Sequence, residues 1–268
     1  MTAKAWVFFR KDFQTQASYR LDFLMRISGM LMSMAIFYFI SQILGNTVSG
    51  YMSQYGSDYF HFALLGIAFY PFVELSSGEM GRVVHQYQQS GTLEVLFLSP
   101  TPILATLQMS MLWSYAWAVA ESTFYLGSAK LLFGARFEWA NIASAAVVVL
   151  LAILANAGIG LINTAFIIVT KRFSPLTRLL NLLTNLLAGV YFPVAVLPDW
   201  LRAASRLLPA TYFLDALRRT VLQSASLAAV GVDLLALTGF AAVLLPIGLL
   251  AFHIAVRWAK TDGSLSQY

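Results

Sequence analysis

Carboxylates set inside long apolar runs are the side chains of this sequence best placed to do chemistry, because a charge left unpaired in hydrocarbon is expensive. Three stand out: Glu74, Glu79 and Glu121. Glu79 precedes Arg82 by one helical turn, the spacing of an ion pair, and reads as structural. Glu74 lies deeper in its run and Glu121 in the outer part of the next. Each reads equally well as a neutral or paired buried carboxylate or as part of a pathway or gate. Asn156 and Asn163 share one helical face, as do Asn181 and Asn185. Amides of this kind hydrogen-bond between membrane helices, and they can also line a path.

No catalytic constellation accompanies these groups. His61, His85 and His253 fall at different expected depths, and no HExxH, GxSxG or GxxxxGK[ST] pattern occurs. No catalytic residue and no metal site is therefore assigned, and the chain is not expected to be an enzyme. With no cysteine, disulfides, thiolate metal sites and a cysteine nucleophile are excluded. If ATP drives any activity, a separate chain must bind and hydrolyse it.

The elements that must position these residues follow from composition. The 268 residues are 59% hydrophobic and 11% charged, against roughly a quarter charged in soluble domains. Several apolar stretches reach the roughly 20 residues that cross a bilayer as a helix. The expected fold is an all-α membrane protein with six transmembrane helices: Phe23 to Leu44, Phe60 to Met80, Ile103 to Gly127, Ile142 to Val169, Leu179 to Leu197 and Leu234 to Val256. Pro71 is expected to kink the second span. No repeat, low-complexity tract or long linker divides residues 1–268, which read as a single domain.

Two further segments are amphipathic. Over residues 3–20, Trp6, Phe9 and Phe13 form one helical stripe, as in a helix lying in the headgroup plane. No secretory signal pattern is present there. Between spans 5 and 6, residues 198–233 read as two short helices, one capped by Asp199 and a second over Tyr212 to Leu222, interrupted by Pro209.

The formal charge of +5 is spread between apolar spans without a nucleic-acid patch, so it reads as a topology signal and an attraction to membrane lipids. With both termini inside, eleven basic residues fall on the cytoplasmic side and six outside. Four of the six, Arg202, Arg206, Arg218 and Arg219, lie in the 198–233 segment and are the weak point of this topology.

Two stretches carry a family resemblance. Gly91-Thr92-Leu93-Glu94 followed by Ser99-Pro100-Thr101-Pro102 resembles the cytoplasmic segment of type-2 ABC exporter permeases. Tyr191-Phe192-Pro193, Leu197-Pro198-Asp199-Trp200-Leu201, Leu208-Pro209 and Asp215-Ala216-Leu217-Arg218 resemble that family's element between helices 5 and 6.

The resemblance implies a permease subunit of the bacterial cytoplasmic membrane. It would form a homodimer or a heterodimer with a second permease and bind two separate ATPase subunits that hold ATP and Mg. Within residues 82–100, the segment Gln88, Gln89, Ser90, Gly91, Thr92, Leu93 and Glu94 would be the coupling helix docked on the ATPase. The 198–233 segment would be a re-entrant hairpin closing the outer end, with Phe192 and Pro193 at the path or gate.

Cargo is less defined. The pattern SYRLDFLMR looks more like the drug- or lipid-exporting branch, while Trp113, Tyr115 and Trp117 keep a lipid-linked polysaccharide in play. A different class, an ATP-independent channel or an ion-coupled carrier, would use Glu74 or Glu121.

Overall fold

The computed structural model describes residues 6–11, 13–14, 19–45, 50, 55, 58–93, 96, 101–137, 141–171 and 175–261. The described elements are helical, and no strand occurs among them. In order they are α1 (Arg20–Leu44), α2 (59–89), α3 (Ile103–Phe133), α4 (Ile142–Thr170), α5 (Pro175–Leu187), α6 (Asp199–Ser205), α7 (Pro209–Leu222) and α8 (Gly231–Thr261). Five of these, α1, α2, α3, α4 and α8, are long and apolar enough to cross a membrane.

Helix α4 is the central post. It carries Val148, Ala152 and Ala155 into one apolar core and Leu161, Ala165 and Ile168 into a second. Its contact with α8 is backbone to backbone. A Cβ on Gly158 would lie 2.4 Å from the Leu244 carbonyl, and one on Gly248 would lie 2.5 Å from the Gly158 carbonyl. Small residues permit this approach where lipid supplies no hydrophobic drive to bring helices together. Pro246 sits in α8 between those contact points.

Helix α2 is continuous from residue 59 to 89 but widens into a π-helical turn at Leu75–Glu79. That turn meets α4: a Cβ on Gly160 would stand 2.2 Å from the Ser76 carbonyl. Pro71 lies inside α2 as expected, and Ser122 of α3 donates to the Ala68 carbonyl in the turn before it (2.6 Å). Asp58 caps the start of α2 by accepting from the His61 backbone N–H (3.0 Å).

The expected fifth span is displaced and shortened. Helix α5 has 13 residues and ends at Leu187 rather than Leu197. At 1.5 Å per residue it extends about 20 Å. Beyond it the chain turns at Gly189, which holds φ +80°, a left-handed value suited to glycine. A single 3₁₀ turn, Val194–Val196, then lies between Pro193 and Pro198.

The two expected helices between spans 5 and 6 are present as α6 and α7, with Pro209 opening α7 rather than merely interrupting the chain. Asp199 is not a cap. It is the first residue of α6 and pairs with Arg202 at 3.2 Å, while no side chain caps that end. At the other terminus, residues 6–11 and 13–14 are helical, and Phe9 and Phe13 pack edge-on against Trp113 of α3 at 5.2 and 5.3 Å.

Candidate functional site

A cavity of about 770 Å³ lies between α1, α2, α3, α5 and the N-terminal helical segment. It reaches from Ser90, just past the end of α2, to Glu74, the central residue of that helix. Glu121, Asn181, Trp113 and Trp117 also line it. Three of the sequence-derived path residues, Glu74, Glu121 and Asn181, are therefore gathered on one wall system.

Glu121 had been expected in the outer part of its span. Helix α3 runs 31 residues, longer than a bilayer needs, so Glu121 stands near its middle. It shares the cavity with Lys11 and Arg26 on the side of the N-terminal segment.

Two ion pairs close within the cavity wall. Arg82 donates to both carboxylate oxygens of Glu79 at 2.8 and 2.5 Å, as the sequence spacing implies, and Ser114 of α3 adds a third hydrogen bond to Glu79 at 3.0 Å. Arg26 pairs with Asp22 at 2.9 Å and lies 5.9 Å from the Trp117 ring centroid. Glu74 and Glu121 enter none of the described ion pairs.

Two of the three remaining asparagines, Asn163 and Asn185, tie helices together. Asn156 is buried and returns a hydrogen bond to Ala152 of its own helix (2.8 Å). Asn163 accepts from Thr177 of α5 (2.6 Å), and Asn185 donates to the Tyr70 hydroxyl of α2 (2.9 Å). None of these three lines the cavity.

The segment after α2 is divided. Gln88 is buried and donates to the Ile167 carbonyl of α4 (3.3 Å), so it ties α2 to α4. Leu93 is also buried, against Val84, Leu107 and Ile167. Gln89, Ser90, Gly91 and Thr92 are exposed. Helix α2 extends through Gln89, and Gly91, at φ +66°, turns the chain after it. Glu94, Ser99 and Pro100 lie outside the described residues.

The opposite end of the molecule is tied together by a residue that the sequence marks as an outside charge and as part of the Asp215-Ala216-Leu217-Arg218 stretch. Arg218 of α7 is buried and donates to the carbonyls of Phe62 (3.1 Å), Gly189 (2.7 Å) and Val190 (3.1 Å). Its guanidinium lies 3.5 Å from the Phe62 ring centroid. Burial pushes Arg218 down to about 10, with Tyr55 and Asp215 opposing that shift, so it remains a cation near neutrality.

Burial likewise raises the Tyr55 phenol, whose hydroxyl donates to Asp215 at 2.6 Å. Arg219 bridges Asp215 and Asp233 at 2.5 and 2.6 Å. Pro193 is buried and Phe192 half-buried beside this cluster's chain segment. The signal for it was present: a run of basic residues inside a segment otherwise apolar enough to bury.

The sequence matches the ABC-2 type transporter family over residues 4–222, and the chain belongs to that family. It is thus a type-2 ABC permease, a multi-pass membrane protein of a kind that works with an ATP-binding subunit. A comparison with curated proteins gives no match.

Proposed function

We propose that the chain is the membrane-spanning half of an ATP-driven exporter that moves an amphipathic small molecule, drug or lipid across the bacterial cytoplasmic membrane. The observation that carries this reading is the cavity. It reaches from exposed Ser90 to mid-helix Glu74 and Glu121 and does not extend to the opposite end of α2, where Arg218 ties the turn at Gly189 to Phe62. A compartment open at one end and closed at the other is what alternating access requires of one of its two states.

In this reading α5 is the fifth of six spans, shortened because its outer end gives way to a turn that the α6–α7 hairpin covers from outside as a re-entrant element. The N-terminal segment lies in the headgroup plane, and both termini are cytoplasmic. Exposed Gln89, Ser90, Gly91 and Thr92 offer the docking surface for a separate ATPase carrying ATP and Mg, while buried Gln88 and Leu93 pass its movement to α4. Two permease copies, identical or not, complete the transporter.

The test is co-expression with the ATPase encoded beside this chain, purification through a tag on the permease, and measurement of co-elution and ATP-driven transport. A stable complex whose transport is uncoupled from ATP hydrolysis by Gly91→Val supports the proposal. No co-purifying ATPase, together with ion-gradient-driven flux that depends on Glu74 or Glu121, would replace it with an ion-coupled carrier.

A further inference from the structure

The cavity's charges divide into those already spent and those left over. Asp22 is taken by Arg26, and Glu79 by Arg82 and Ser114. Glu74 and Glu121, on facing helices α2 and α3, have no ion-pair or side-chain hydrogen-bond partner among the described residues. Among the described residues lining the wall, with Lys11 as the third cation, four carboxylates face three cations, leaving one net negative charge.

Both carboxylates outside the ion pairs stand near the middle of 31-residue helices, Glu74 exposed and Glu121 half-buried on the cavity wall, at a depth where an uncompensated anion is costly. The nearest arginines, Arg82 for Glu74 and Arg26 for Glu121, act on them only through space, each being bonded to a different carboxylate. A ligand cation entering between Glu74 and Glu121 would supply the missing charge.

The walls next to these carboxylates suit a ring-bearing cation. Trp113 and Trp117 lie along the same cavity, and Trp117 already receives a cation, the Arg26 guanidinium, at 5.9 Å from its ring centroid. An indole attracts positive charge to its face and offers apolar area beside it. The volume of about 770 Å³ is in the range that holds a drug-sized molecule.

The geometry points to a cationic amphiphile, a protonated or quaternary amine joined to a flat apolar ring system, as the ligand class of this cavity, with Glu74 and Glu121 as its charge partners. This rests on the exporter reading for its physiological meaning, but binding itself needs no ATPase.

The experiment uses the full chain in phosphatidylcholine nanodiscs at pH 7.5, with empty nanodiscs as the blank. Fluorescence polarisation follows rhodamine 6G, a cationic xanthene, and fluorescein, its anionic counterpart. Rhodamine 6G is expected to bind saturably and fluorescein at least tenfold more weakly. Glu74→Gln and Glu121→Gln should each weaken rhodamine binding several-fold, the double variant at least tenfold, and Glu74→Asp should retain most of it.

Equal binding of the two dyes, binding of neither, or undiminished rhodamine binding by variants that keep wild-type gel-filtration and circular-dichroism profiles would overturn the assignment. If the double variant does not fold, the dye pair and the single variants still decide. Failure to assemble with an ATPase would remove the exporter reading and leave this result standing, so the two failures are distinguishable.

Discussion

Arg218 reaches across 156 residues of sequence to donate to the Phe62 carbonyl at 3.1 Å while its guanidinium covers the Phe62 ring at 3.5 Å. The same side chain satisfies the Gly189 and Val190 carbonyls, which the turn after α5 takes out of any helix. One cation therefore joins α2, α5 and α7. Arg218→Met should leave two buried carbonyls, those of Gly189 and Val190, without a donor, at about 1–3 kcal/mol for each unsatisfied group. A large fall in thermal midpoint is expected in detergent or nanodisc, with Arg218→Lys intermediate because an ammonium lacks the planar fork. A midpoint unchanged by Arg218→Met would refute the clamp.

The α4–α8 contact predicts non-additivity. Gly158→Ala and Gly248→Ala each push the same two backbones apart, at about 1–3 kcal/mol of overpacking. Because either substitution opens the one interface, the double variant should lose less than the two single losses combined. Thermal unfolding of the four proteins in a double-mutant cycle measures this; strict additivity would mean that the glycines act independently.

Asp58 gives a pH dependence. Burial works against its charge, but hydrogen bonds from the His61 ring and the His61 backbone N–H outweigh burial and hold the carboxyl below its ordinary value. A lowered folded-state value means the contribution is present above the unfolded value, near 3.9, and is lost as pH falls through the folded one. Asp58→Ala should cost about 1 kcal/mol above pH 5, the usual worth of a cap. The difference from wild type should narrow below about pH 4. Melting curves from pH 7 to pH 3 would show it, and a constant difference across that range would count against the cap.

Trp113 holds the N-terminal segment through Phe9 and Phe13. Trp113→Ala should release that segment and expose Arg10 and Lys11 to trypsin at several times the wild-type rate, read by mass spectrometry of early cleavage products. Unchanged cleavage kinetics would show that the lipid surface, not Trp113, retains it.

The long helices were legible because each apolar run is bounded by clear breakers, and the Glu79–Arg82 pair followed from spacing alone. The fifth span was misjudged because hydropathy stays high from Ala188 through Leu197, and hydropathy does not distinguish a helix from an apolar turn. What ends the helix there is Gly189 at φ +80° and a donor, Arg218, supplied from 29 residues downstream. Glu121 counts as outer in a span that ends at Gly127, but the helix runs on to Phe133, which brings it within one turn of the helix midpoint. Its convergence with Glu74 and Asn181 on one cavity is a tertiary fact that no local pattern carries. Gln88 was grouped with its exposed neighbours, yet the α2 face it occupies turns toward α4.

The widened turn at Leu75–Glu79 sets the phase of everything that follows it in α2. A π turn amounts to one residue inserted in an α-helix, and one residue is worth about 100° of rotation. Deleting a single residue there would keep the helix intact and swing the far half, with Glu79, Arg82 and the Ser90 end, about a quarter-turn relative to Pro71 and Glu74. The span thus holds a built-in register offset: the fold of each half would survive such a deletion, and the alignment between the central carboxylate and the end of the helix would not.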